Sequence, residues 1–258
     1  MWRTPMSNWT DLTDYLPDGF ALRKGAGGGD PRDGMCYMET VAFIAGEKVT
    51  DRPGCACPAL TTYGITLNDC MPDDVRQQLI PLAWATAGTR SPEHEQERMR
   101  ILGLAACDMA EMVLPAFEAE HPNDNRPRKA IEATRMYWAQ PNLEAAQAEE
   151  AARDARGAAQ AAWAAREAAL AAEHAAWAAQ KAAAAGWDDL EDATTAAWAA
   201  SKTAARAAKA RPDLAPQIWD RAIQALRDAI EAGPHGGIPE ADAVARIEAR
   251  KHELVGER

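Results

Sequence analysis

Apolar residues recur along this chain mostly at the three- and four-residue spacing of a helix. Strict two-residue alternation is almost absent, and one short strand near Phe20–Arg23 is the only one expected. A first helix is predicted from a cap at Asp33 to about Ala45, stopped by Gly46. Met35, Met38, Ala42 and Ala45 share its face. A second opens at Pro58, a favoured first-turn residue, and runs to about Asn68. A third starts at Pro72-Asp73-Asp74 and ends at Gly88. Val75, Leu79, Leu82 and Ala83 share its face, and Pro81 should kink it. Ser91 caps the next helix, with Pro92 in its first turn. Its broad apolar face (Ile101, Leu102, Ala105, Ala106, Met109, Met112, Val113) suits burial in a bundle. A loop at His121–Asn125 leads to a short helix over Pro127–Trp138.

From Ala161 to Lys209 alanine fills most positions of a seven-residue unit, and Trp163, Leu170, Trp177 and Trp198 recur at the third place. Alanine is the best helix former and leaves almost no side chain between helix axes, so close-packed helices are expected. Gly186-Trp187-Asp188-Asp189-Leu190-Glu191 holds a stop and a capping-box start together. The reading is an antiparallel hairpin of roughly 158–185 and 188–210. Two helices follow. Asp213–Ala232 carries Trp219, Ala222, Ile223, Leu226 and Ile230 on one face, and Pro239 to about Leu254 carries Val244 and Ile247. The fold expected is all-α: a helical bundle with a C-terminal stack of antiparallel alanine-rich helices. Residues 1–122 would form an N-terminal helical domain, irregular over its first 33 residues, and 123–258 an Ala/Trp-rich domain. The heptad also leaves a coiled-coil homodimer open.

Charge narrows the function classes. The net charge is −11 and is spread along the chain. No basic stripe exists to neutralise phosphates, which argues against a nucleic-acid partner. The N-terminus lacks the apolar core of a signal peptide. The alanine region is interrupted by Arg166, Glu167, Glu173, Lys181, Asp188 and Asp189, which argues against a membrane span. A cytoplasmic protein is expected. Its five cysteines, odd in number and irregularly spaced, fit reduced thiols.

Candidate chemistry concentrates at Asp33–Glu39, Cys55-Ala56-Cys57-Pro58 and Asn68-Asp69-Cys70. Cys36 in a first helical turn would feel the helix dipole, which favours thiolate. Cys57 also lies before a helix start. A nucleophile needs a base, yet the five histidines carry no recognisable motif. Cys36, Cys55 and Cys57 could hold a metal, but Cys-x-Cys lacks the usual zinc spacing. Free cysteine is most often a small buried hydrophobe, so no metal and no cofactor is expected. Glu39, with Asp51 and Asp69 in nearby loops, could form a polar cluster. The Gly25–Asp30 run is a plain loop, since no Gly-Lys-Ser/Thr follows. Trp163, Trp177 and Trp198 read first as packing knobs at the core's edge, and second as an aromatic surface for a partner or a base. Arg126, Arg128 and Lys129 stand at a helix N-terminus, where the dipole disfavours cations. Either an acid among Glu132, Asp124 and Glu120 compensates them or they meet an anionic partner.

Two stretches carry a resemblance. Gly34–Glu47 with Asp51–Pro58 and Asn68-Asp69 resembles the opening of uncharacterised alanine-rich proteins of actinobacteria and their phages. Asn123–Ala133, containing Arg-Pro-Arg-Lys-Ala-Ile-Glu-Ala, followed by the Ala/Trp repeat, is similar to bacterial and phage immunity proteins. That resemblance implies a helical protein that neutralises a protein partner, a toxin or a defence component, and supplies no catalytic residue. The expectation is a non-enzymatic binding module, an immunity or anti-defence inhibitor. The alternatives are a thiol-dependent or metal-assisted enzyme at Cys36, Glu39 and Cys57, and a pocket between helices that sequesters a small nucleotide with the tryptophans, Arg126 and Arg128.

Overall fold

The computed structural model describes residues 12–27, 34–139, 170, 171, 174, 177, 178 and 190–256. The chain is all-α. The helices with both ends among the described residues are α1 (Tyr37–Ala45), α2 (Pro58–Cys70), α3 (Asp73–Arg76), α4 (Ala83–Thr86), α5 (Pro92–Glu120), α6 (Arg126–Ala139), α7 (Leu190–Ala210), α8 (Ala215–Glu231) and α9 (Glu240–Gly256). The strand expected near Phe20–Arg23 is reduced to one bridge, Leu22 beside Met35.

Local chemistry sets the helix ends. Cys36 caps α1, where Asp33 was the expected cap; Asp33 itself lies outside the described residues. The Glu39 backbone N–H donates to Cys36 Sγ at 3.4 Å, and the Glu39 carboxylate accepts from Cys36 N at 2.8 Å. This is a capping box with a thiol in the place of a hydroxyl. Gly46 ends α1 at φ +71°, a left-handed position. A side chain there would also meet Arg246, whose guanidinium donates to the carbonyls of Ile44 and Ala45 and so ties α9 to the end of α1.

The helix predicted from Pro72 to Gly88 is three pieces: α3, a 3-10 stretch over Gln77–Leu82, and α4. The cause is Pro81. It lacks an N–H and its ring crowds the carbonyl four residues back, at Gln77, where the α-helix gives way. In α5, by contrast, Pro115 lies within 29 continuous helical residues. Ser91 occupies the cap position of α5 without a side-chain cap bond, because its hydroxyl pairs with His94 Nδ1 at 2.6 Å.

α7 lies against both α2 and α5, α8 against α5 and α7, α6 against α5, and α9 against α1. Small side chains let α7 sit deep. Ala196, Ala197, Ala199, Ala200, Ala204 and Ala207 are buried, with Ser201 and Thr203 among them. Apolar residues from both sides of position 122 join one buried cluster. Arg98, fully buried on α5, fastens the two sides by donating to the carbonyls of Thr89, Ala229 and Pro234. Backbone bonds from Gly236 to Ala85 and from Gly237 to Ala87 add to this.

The corner at 186–189 and Trp163 lie outside the described residues. Trp177 and Trp198 nevertheless touch, with ring centroids 5.4 Å apart. In one straight helix, positions 21 residues apart would be separated by about 30 Å. Trp177 and Trp198 therefore do not lie on one straight helix.

Candidate binding surface

The thiol region is closed. Cys36 is buried, and burial pushes its thiol up to about 12, against the helix N-terminus and despite the Glu39 N–H that favours thiolate. Desolvation thus works against the thiolate that the helix N-terminus would favour at Cys36. Glu39 is occupied as well: its carboxylate accepts from Gly27 N at 2.7 Å in addition to Cys36 N. Asp69 accepts from Gly25 N at 2.9 Å. These two acids hold Gly25 and Gly27 of the glycine loop, and Asp51, the third member of the expected polar cluster, makes no hydrogen bond with them among the described residues. Cys57 sits before Pro58 with its N–H on Thr89 Oγ1, and its Sγ lies 3.9 Å from Glu95. Burial and the Glu95 charge both raise its thiol, and burial raises Glu95. Among the described residues, no three His, Cys, Asp or Glu side chains form a group able to hold a metal, so Cys36, Cys55 and Cys57 do not build that site.

The aromatic residues face one another. Trp177 and Trp198 meet edge to face at 86°, and the His174 ring stands 5.9 Å from Trp198 and 6.3 Å from Trp177. Lys202 Nζ sits 5.6 Å over the Trp198 ring and 3.5 Å from Cys70 Sγ. Both indoles are half-buried against the core, at its edge. His174 is half-buried with them.

α5 and α6 form a hairpin whose polar side is laced by ion pairs. Arg126 is held by Asp124 (2.9 and 2.6 Å) and Arg128 by Glu118 (2.7 and 2.8 Å), each through two parallel bonds. Further along, Arg135 joins Asp108 and Glu111, and Asp108 also accepts from Arg221 of α8. Arg126 and Arg128 at the α6 N-terminus are therefore compensated inside the fold, whereas Lys129 is exposed. Asp124 was a predicted partner; Glu118 was not. The connecting loop borders an open concavity of about 620 Å³ between Glu120 and Arg126.

The opposite faces of α6 differ sharply. Ala130, Ile131, Thr134, Tyr137 and Trp138 are buried, with the Trp138 indole pressed on Gly103 where any side chain would collide. Lys129, Glu132, Met136 and Ala139 are exposed at helical spacing. Met136, 47 % exposed, is the large apolar residue that stands out of the surface among the described residues.

Residues 93–188 match the family model of the Imm-5 like putative immunity protein. The match begins in the first turn of α5, takes in α6, and supports an immunity-type role. No curated protein and no solved structure matches the chain. Among the described residues, no helix is long and apolar enough to cross a membrane.

Met136 went unnoticed in the sequence because it adjoins Tyr137 and Trp138 in one apolar run. The helical spacing that separates it from Ile131, Thr134 and Trp138 was the available signal. Glu118 was missed because its partner lies ten residues away across a turn.

Proposed function

We propose that this chain is a non-enzymatic binding module that neutralises a protein toxin or defence component through the α5–α6 surface. The match of residues 93–188 to an immunity family carries the reading, because α5 and α6 form the longest continuous part of that match among the described residues. The contact would be made by the exposed stripe Lys129, Glu132 and Met136, with Arg128 and Glu118 at its border. A flexible, polarisable methionine ringed by charges suits the centre of a protein interface. The buried face of Ile131, Tyr137 and Trp138 holds α6 in place, so little order has to be gained on binding.

Burial raises the Cys36 and Cys57 thiols, which weighs against the enzyme reading. Arg126 and Arg128, offered for a nucleotide, already hold carboxylates. The test is growth rescue. Cells producing a toxin encoded beside this gene are expected to survive when the chain is co-expressed and to die with Met136→Glu, provided the variant melts like the parent. Failure to rescue against every neighbouring toxin would overturn the proposal.

A further inference from the structure

A second surface lies outside the immunity-matched segment. The α3 region and the start of α8 enclose a groove of about 450 Å³, within the range of ligand clefts. Trp219, 5 % exposed, is the least accessible of its lining residues and forms the floor. Pro72 stands on one wall, and Pro212 and Pro216 on the other. Proline has no rotamer freedom to lose, so these walls are already in their bound shape. Asp74 and Asp220 are exposed at the rim, and neither has an ion-pair partner among the described residues. No Lys or Arg lines the groove.

We propose that this groove binds an extended, proline-containing segment of a protein partner that carries an arginine or lysine at its edge. Each part of that description answers a feature of the site. An indole floor between rigid apolar walls accepts a polyproline-type ridge, which is preformed and costs little entropy to dock. No acceptor among the described residues meets the Trp219 indole N–H, and a bound backbone carbonyl would supply one. The two unpaired carboxylates call for a cation, in a chain of net charge −11. A free polyamine would satisfy the acids, but it offers the indole no acceptor. The groove lies on residues 72–78 and 212–220, so this proposal stands or falls apart from the immunity reading.

The test uses the full chain labelled with 5-fluorotryptophan. Its nine tryptophans give separate fluorine resonances, and Trp219→Phe assigns the one of interest. Three probes are titrated: a proline-rich heptapeptide led by arginine, the same peptide led by glutamate, and spermidine. The arginine peptide is expected to move the Trp219 resonance saturably, with the others still. The double variant Asp74→Asn/Asp220→Asn, changed only at the exposed rim, should weaken that binding about three- to tenfold. No movement with the arginine peptide, equal movement with the glutamate peptide or spermidine, or undiminished binding by the double variant would each overturn the proposal.

Discussion

Two regions of this molecule reach the same degree of burial by opposite means. α1 and α2 fill space with large side chains: Tyr37, Met38, Leu60, Tyr63 and Leu67 are fully buried. α7 buries Ala196, Ala197, Ala199, Ala200 and Ala204 and fills almost no space. In the first region atoms of the side chains make the contacts; in the second the backbones themselves draw close. The lesson is that burial alone does not say which way a residue is sensitive. A position filled by a large side chain fails when emptied, and a position left small fails when filled.

Leu60→Ala gives the largest expected effect on this contrast, a loss of about 2–5 kcal/mol from lost transfer energy and the cavity left behind. Ala200→Leu should cost about 1–3 kcal/mol by overpacking α7 against its neighbours, whereas Ala200→Gly should cost only about 1 kcal/mol through helix propensity. Denaturant melts of the three variants check both statements. If Ala200→Leu proved neutral, the close approach of α7 would be wrong. The surface sets the lower bound: Arg128→Ala removes a half-exposed pair and should change stability by no more than about 1 kcal/mol.

The thiols sharpen the same comparison through pH. Burial raises Cys36 from 9.0 to about 12. The folded state keeps that proton where the unfolded state has lost it, so the Cys36 contribution to stability is complete below pH 9 and declines as pH rises toward 12. Chemical melts between pH 8 and pH 11 in the parent and in Cys36→Ser check the sign; about this range the parent should lose the larger share of its stability. At neutral pH, iodoacetamide should reach the half-buried Cys55 and Cys70 well before Cys36, Cys57 and Cys107, as peptide mapping would read out.

Much of this was legible in the chain. The α8 stripe of Trp219, Ala222, Ile223, Leu226 and Ile230 is buried as its periodicity required. Gly46 and Pro58 marked helix ends that the structure keeps. Local rules served there because each depends on one turn of chain. They failed at Cys36, where a thiol did the work of a hydroxyl and burial outweighed the dipole. They also failed wherever the answer lay across the fold. Glu118 opposite Arg128, Arg98 on the distant carbonyls of Ala229 and Pro234, and the groove between residues 72–78 and 212–220 all need a topology that periodicity does not supply.

The central functional claim is that a protein partner docks on the exposed stripe of α6. Hydrogen–deuterium exchange on the purified chain, alone and mixed with the toxin that it rescues cells from, tests this most directly. The account predicts slowed exchange in peptides spanning 126–139 and little change in 37–70. Protection confined to α1 and α2, with 126–139 unchanged, would contradict it.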